Sequence, residues 1–182
     1  LLSMDWWTRN SNNEARPTRG NARPSVTEIC ESLLIGEYLR LSDIEWLKRE
    51  HRVSAIQNLQ DDVDLRINGL DIAALRQTCD QNGIKLVRTP IQDGSADDMA
   101  GRLAAALTDL AALMQAGERV YVHCNAGLNR APTLAIAYMR AHCGMSLNEA
   151  MAYVKQRRAC GPFMTVLEGY FGPRDFKPEP TG

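Results

Sequence analysis

The chain has 182 residues, a length that suits one domain and leaves little room for a second module. Hydrophobic residues make up 45% of the sequence and charged residues 24%, which is ordinary for a globular protein. The formal net charge of −1 excludes a general basic field, and no apolar run approaches the roughly 20 residues that span a bilayer. We therefore predict no nucleic-acid partner and no membrane span.

Five widely spaced cysteines without a CxxC pair argue against a disulfide framework and against a zinc ribbon. They favour an intracellular, reducing compartment, and the choice between cytoplasm and plastid stroma stays open. The sequence offers no cluster of His and carboxylate residues, so we expect no metal and no cofactor.

The chain divides into one domain and two tails. Residues 1–24 are rich in Asn, Arg, Pro and Gly and predict a flexible or docked tail, in which Trp6-Trp7 is either an anchor or an aromatic platform. Residues 25–175 form the predicted domain, and residues 176–182 form a short C-terminal tail.

Strands and helices alternate along the domain. Apolar β-rich runs predict strands at 26–29, 32–36, 53–59, 84–90 and 119–124. Helical periodicity and stop signals predict helices at 42–50, 70–83, 97–116, 131–143, from 146 onward and at 163–171, with a polar turn at 60–62. Ser42 with Glu45 and Ser146 with Glu149 read as capping boxes. This alternation predicts an α/β domain with a central, mostly parallel sheet flanked by helices.

One segment, VYVHCNAGLNRAPT at residues 120–133, carries the chemistry. It places Cys124 at the end of a buried strand, then a five-residue loop, then Arg130 at the start of a buried helix. The N–H groups of such a loop and the positive end of the helix dipole converge on one anion site, which favours the Cys124 thiolate. Gly127 permits the tight turn, and the Arg130 fork matches two phosphoryl oxygens. The predicted phosphate-binding residues are Asn125, Ala126, Gly127, Leu128, Asn129 and Arg130.

This segment resembles the HCxxGxxR signature of the protein tyrosine phosphatase superfamily. The resemblance implies that fold and a metal-independent phosphoric monoester hydrolase, with the phosphate-binding loop between a strand and a helix. The Cys124 thiolate would form a phosphocysteine intermediate, while Arg130 and the loop N–H groups stabilise the equatorial oxygens. A carboxylic acid would protonate the leaving oxygen and then activate water.

We assign that acid to Asp93. The stretch RTPIQDGSADD follows a strand and supplies three aspartates, of which Asp97 and Asp98 suit the first turn of the next helix. Asp93 lies in the loop, and short dual-specificity members of the superfamily carry the acid about thirty residues before the nucleophile.

Other residues take supporting roles. His123 is expected to orient the loop through a hydrogen bond. Ala131 stands where many relatives have Ser or Thr, so Thr133 or a water would have to assist departure of the thiolate. The basic run at residues 155–158 suits a solvated helix end, with a role in attracting substrate as the alternative.

A wider likeness covers most of residues 26–162. The segments LQDDVDL, VRTPIQD and HCNAGLNRAPT, in this order, resemble the dual-specificity domain of the plant glucan phosphatases and, more distantly, laforin. The resemblance implies phosphorylated glucan, a polymer similar to starch or glycogen, as substrate.

Two departures leave the substrate open. Where the plant enzymes line a glucan channel with aromatic residues, this chain has Gly94 and Ile67-Asn68. An alternative platform could come from Trp6, Trp7, Tyr38, Trp46, Phe163, Tyr170 and Phe171. A phosphoprotein, a small phosphorylated metabolite or a lipid headgroup is therefore the alternative substrate. A phosphate-binding module without turnover is a third hypothesis, against which the presence of Cys124, Arg130 and Asp93 argues.

Overall fold

The computed structural model describes residues 19–178, and Trp6 and Trp7 lie outside this range. The strands are β1 (Val26–Cys30), β2 (Leu33–Gly36), β3 (Ala55–Asn58), β4 (Lys85–Arg88) and β5 (Val120–His123). The helices are α1 (Ile44–His51), α2 (Asp62–Ile67), α3 (Ile72–Gln81), α4 (Ala96–Gln115), α5 (Arg130–His142), α6 (Leu147–Arg157) and α7 (Met164–Phe171).

The five strands form one sheet in the order β1-β2-β5-β3-β4. The pair β1–β2 is antiparallel, with a register shift between Glu28 and Cys30, and the other three pairs are parallel. This is the predicted α/β fold, with β5 in the centre of the sheet. In the described residues, no helix is both long and apolar enough to cross a bilayer.

The sheet is buried on both faces because alternate strand residues pack into two separate clusters. Leu33 and Ile35 of β2 pack with α4, α5, α6 and α7, whereas Leu34 packs with α1 and α3 on the opposite face. In β5, Tyr121 joins the second cluster, and Val120 and Val122 join the first. Burying both faces explains why these strands read as continuous apolar runs.

Two local predictions are wrong. No Ser42–Glu45 capping box forms, since a 3₁₀ turn at Leu41–Asp43 precedes α1 and Asp43 accepts a hydrogen bond from Arg40 N at 2.9 Å. The predicted polar turn at 60–62 runs instead into α2, where the side chains of Asp61 and Asp64 cap each other's backbone N–H groups.

The predicted start of α6 is confirmed. Glu149 N donates to Ser146 Oγ at 3.1 Å and Ser146 N donates to Glu149 Oε2 at 2.8 Å, the predicted capping box of α6. At the other end of the chain, Arg19 donates to Tyr38 O at 2.6 Å and to Asp43 Oδ2 at 2.5 Å. The described end of the predicted N-terminal tail is therefore docked on the domain.

Candidate active site

Cys124 directly follows the central strand β5 and is 2% exposed. It therefore lies at the carboxyl edge of the parallel strands, where α/β sheets bind their ligands. The loop that follows bends sharply at Gly127, whose φ is +65°. A Cβ at this position would lie 2.5 Å from the carbonyl carbon and oxygen of Gly36, so the loop path requires glycine.

The carbonyl groups of the loop are held by neighbouring donors. The carbonyl oxygen of Cys124 accepts a hydrogen bond from His123 Nδ1, and that of Asn125 accepts from Tyr38 N. The carbonyl oxygens of Ala126 and Gly127 both accept from the Arg158 side chain. The carbonyl oxygen of Leu128 accepts from Gly161 N, and that of Asn129 accepts from the Thr133 hydroxyl. In a trans peptide the next N–H points opposite to the carbonyl. The N–H groups of residues 125–130 are consequently turned away from these partners, which is the orientation that an anion cradle requires.

Arg158 holds this loop from behind. Its Nε donates to Gly127 O at 2.6 Å and its Nη2 donates to Ala126 O at 3.0 Å, while Nη1 reaches two hydroxyl groups beside the start of β1. The side chain is buried. A solvated helix end is therefore the wrong prediction for Arg158, because its buried guanidinium donates to two carbonyl groups of the loop.

Arg130 is fully buried at the start of α5. Its Nη1 donates to Asp64 Oδ2 at 2.6 Å and to Ile91 O at 2.7 Å. Its Nη2 lies 2.9 Å from Asp93 Oδ1, an ion-pair distance, although the N–H bonds are not aligned for a hydrogen bond. Within the described residues, Nε and Nη2 have no hydrogen-bond acceptor. One edge of the guanidinium is thus anchored, and the other has donors for two oxygens of an anion.

Negative groups surround this guanidinium. Burial lowers the pKa of Arg130, but Cys124, Asp93 and Asp64 together raise it by more, so that its pKa lies above the ordinary value. Arg130 therefore stays charged at any working pH. Its positive charge is close enough to Cys124 to interact with a thiolate there.

Asp64, which the sequence analysis did not single out, is buried beside Arg130. Burial raises the pKa of this carboxyl group, and Arg130 acts in the opposite direction. Its other oxygen, Oδ1, accepts a hydrogen bond from Asn125 Nδ2. The signal that could have found it is the spacing Asp61-x-x-Asp64, which predicts the start of α2 and places Asp64 in the first turn.

The three aspartates after β4 have different surroundings. Asp93 is half-buried and contacts Arg130. Asp98 Oδ2 accepts from Gln92 N at 2.7 Å, and Asp97 is exposed in the first turn of α4. The structure therefore brings Asp93, and neither of the other two, into contact with the Arg130 guanidinium.

His123 is fully buried on β5, with its ring stacked on Tyr121. Burial, with smaller contributions from Arg130 and Arg19, lowers the pKa of His123 to about 4, against the opposing effect of its bond to Cys124 O. The imidazole is therefore neutral at pH 7. Its Nδ1 lies 3.1 Å from that carbonyl oxygen, so Nδ1 carries the proton and orients the start of the loop.

Thr133 supports the other end of the loop. Its hydroxyl donates to Asn129 O at 2.7 Å and accepts from Phe163 N at 2.9 Å. Because the single hydroxyl proton is used by Asn129, this arrangement does not offer it to Cys124. Thr133 therefore ties the loop to the segment before α7.

Comparison with known proteins agrees with this geometry. Residues 41–166 match the family described as "Dual specificity phosphatase, catalytic domain". The chain belongs to this family. Its members are phosphoester hydrolases that need no metal, which is the enzyme class that the sequence predicts.

Two curated relatives show the range within the family. The phosphoglucan phosphatase DSP4, amyloplastic, of Castanea sativa is 34% identical over 143 residues, which cover 77% of this chain and 38% of the relative. The dual specificity protein phosphatase 1 of Homo sapiens is 36% identical over 70 residues, 38% of this chain and 19% of the relative. The chain thus spans well under half the length of either protein.

Solved structures share the fold. Tk-PTP in its active form has a TM-score of 0.68 at 23% identity, covering 80% of this chain and 95% of that chain. PTPMT1 has a TM-score of 0.64 at 20% identity, covering 79% and 90%. At these identities the likeness concerns the protein tyrosine phosphatase fold alone.

Replacing His123 by Asn is expected to reduce the pH dependence of stability in this phosphatase domain. The unfolded imidazole has a pKa near 6.5 and the folded one about 4, so the unfolded state binds more protons between these values. Native stability should fall by about 3 kcal/mol as the pH drops through this window, and the variant should lose much less. Chemical denaturation at several pH values from 7 to 4 measures this, and equal losses in both proteins would contradict it.

Proposed function

We propose that this domain hydrolyses phosphate monoesters through a phosphocysteine intermediate on Cys124. The observation that carries the proposal is the anchored Arg130, whose Nε–Nη2 edge has two buried donors beside a loop with inward N–H groups. Such donors stabilise a phosphoryl group as its charge shifts in the transition state. Cys124 begins that loop, where it can attack phosphorus in line.

The reaction would proceed in two balanced steps. In the first, the Cys124 thiolate forms a bond to phosphorus, the ester P–O bond breaks, and Asp93 gives its proton to the leaving oxygen. In the second, water attacks phosphorus, Asp93 takes its proton, and the thiolate leaves as inorganic phosphate forms. Neutral His123 holds the loop and takes no proton in this scheme.

Asp93→Asn is expected to slow the first step by about 10²-fold for poor leaving groups and much less for an activated aryl phosphate, because an amide has no proton to give. Asp97→Asn and Asp98→Asn serve as matched controls on the same segment. Rates measured against a series of leaving groups decide the assignment. Equal slowing by Asp97→Asn would show that Asp93 is the wrong acid.

For the substrate we propose phosphorylated glucan. Support comes from the 34% sequence identity to the Castanea sativa phosphoglucan phosphatase, which extends over 77% of this chain. Two half-buried aromatic residues are tied to the loop region through their backbone, since Tyr38 N donates to Asn125 O and Phe163 N donates to Thr133 Oγ1. The Arg19 guanidinium lies over the Tyr38 ring and Phe163 packs against the core, so the support for a glucan comes from the sequence likeness.

A phosphoprotein, or a small phosphorylated metabolite or lipid headgroup, is the second candidate. Gly94 adds no side chain next to Asp93, and two aliphatic side chains of α2 are exposed, Val63 at 49% and Ile67 at 63%. Val63 and Ile67 lie one helical turn apart, and such side chains favour apolar contacts over sugar stacking.

One panel separates the two candidates. Phosphate release is measured from solubilised phosphoglucan, from phosphopeptides with phospho-Tyr or phospho-Ser/Thr, and from a small aryl phosphate. The phosphoglucan proposal expects the highest kcat/KM for the glucan, and a higher value for the peptides would remove it. Activity on the aryl phosphate tests the chemistry independently of the natural substrate.

For location we propose a reducing intracellular compartment, with cytoplasm and plastid stroma both compatible. All five cysteines are unpaired, and such thiols persist where the environment is reducing.

None of the described residues forms a group of His, Cys, Asp or Glu that could hold a metal ion.

A further inference from the structure

The carboxylate of Asp64 touches both ends of the phosphate-binding loop. Its Oδ2 accepts from Arg130 Nη1, at the last residue of the loop, and its Oδ1 accepts from Asn125 Nδ2, at the first residue after the nucleophile. The residue is 3% exposed. A buried carboxylate is costly unless its acceptors are paired, and here both oxygens are.

The direction of these hydrogen bonds is fixed by the surrounding amides. Asn125 Oδ1 accepts from Gln60 Nε2 at 2.7 Å and from Asn68 Nδ2 at 3.0 Å. Turning the Asn125 amide over would place its nitrogen against both donors. Asn125 therefore presents Nδ2, a donor, to Asp64, and that position needs an acceptor.

We propose that Asp64 is a positioning residue that sets the Arg130 guanidinium and the start of the loop together. This inference rests on the proposed function, since it assigns Asp64 to the anion site of that reaction. With Nη1 anchored by Asp64 and Ile91 O, the Nε–Nη2 edge has one orientation towards the anion. With Asn125 anchored as well, the inward N–H groups keep their spacing relative to that edge.

Asp64→Asn can keep only one of the two connections. Its amide has one oxygen, which can accept from Arg130 or from Asn125 but not from both, and its nitrogen opposes the remaining donor. We expect kcat/KM for an aryl phosphate to fall by about 10- to 100-fold, since small displacements of catalytic groups have effects of this size. The loss should be the same for good and poor leaving groups, unlike that of Asp93→Asn.

The double variant Asp64→Asn with Asn125→Asp restores the pattern. The new carboxylate at position 125 can accept from Gln60, from Asn68 and from the amide nitrogen at position 64, whose oxygen then accepts from Arg130. The number of negative charges is also unchanged. We expect most of the lost kcat/KM to return, which a residue needed only for folding would not show.

The control is Asp62→Asn in the same short helix. Asp62 is exposed, and it pairs with Arg88 on the surface. It should leave kcat/KM and the affinity for tungstate, an oxyanion probe, within about twofold of the parent. Thermal denaturation of each variant shows whether a loss of activity comes from unfolding or from displacement of Arg130 and the loop in a folded protein. If Asp64→Asn alone does not fold, the double variant decides the question.

The outcomes are distinct. An unchanged kcat/KM in Asp64→Asn, or a double variant that is no more active than the folded single variant or does not fold, would overturn the role of Asp64. A parent that binds tungstate but releases no phosphate from the aryl ester would contradict the proposed function instead. In that case the same variants, measured by tungstate affinity, still test whether Asp64 positions the anion site.

Discussion

Cys124→Ser is expected to reduce phosphate release from an aryl phosphate by at least about 10³-fold while the protein stays folded. A serine hydroxyl is a much weaker nucleophile than a cysteine thiolate. The residue is 2% exposed and the oxygen is smaller than sulfur, so the packing changes little. The rate of phosphate release, measured in the steady state for both proteins, gives the loss of activity.

Two further measurements make this result specific. Cys160→Ser, at a half-buried cysteine next to Gly161, should keep the parent activity. Cys124→Ser should still bind tungstate, because the loop N–H groups and Arg130 remain in place. Substantial turnover by Cys124→Ser would rule out the phosphocysteine scheme, whereas loss of activity in both variants would point to a general effect on the fold.

Arg130→Lys is expected to lower kcat/KM by about 10³-fold, with a weaker affinity for tungstate. An ammonium group has no planar fork, so it cannot pair with Asp64 and Ile91 O while presenting two further donors to an anion. Removing a single oxyanion donor commonly costs 10²- to 10³-fold in rate, and this change removes two. Kinetics with the aryl phosphate and a titration with tungstate measure both effects.

The matched control is Arg102→Lys on the exposed surface of α4, where the arginine lies 3.7 Å from Asp98. It should change neither quantity. If Arg130→Lys kept the parent's kcat/KM, a positive charge alone would suffice, and the bidentate edge of Arg130 would not be the group that stabilises the transition state.

The sequence was sufficient for the parts of the site that are contiguous. Residues 120–133 contain the strand, the loop and the helix start in order, so local patterns placed Cys124, Gly127 and Arg130 correctly relative to one another. The parallel sheet also followed from alternating elements, since its strands are buried on both faces and read as apolar runs. The prediction of Asp93 as the acid depends on its position in the loop between β4 and α4. Asp97 and Asp98 suit the first turn of α4, and this marks where the loop ends.

The remaining contacts depend on tertiary structure. Asp64 and Arg130 are 66 positions apart, and Arg158 and Gly127 are 31 apart, so no local pattern indicates that they meet. The prediction for Arg158 is wrong because a run of basic residues is typical of a solvated helix end, and only the docked loop shows which arginine is buried. The short helix α2 was missed because Asp-x-x-Asp capping was read as a polar turn, and Asp64 was missed with it.

The dependence of the loop on Arg158 and Gly161 has a consequence for the order in which the protein matures. Ribosomes add residues from the N-terminus, so Cys124 and Arg130 leave the exit tunnel before the two residues that hold the loop carbonyls. A nascent chain that ends between them has the nucleophile and the guanidinium but lacks the donors that turn the loop amides inward. Catalytic competence should therefore arise only after residues 158–161 have been synthesised and have joined the fold.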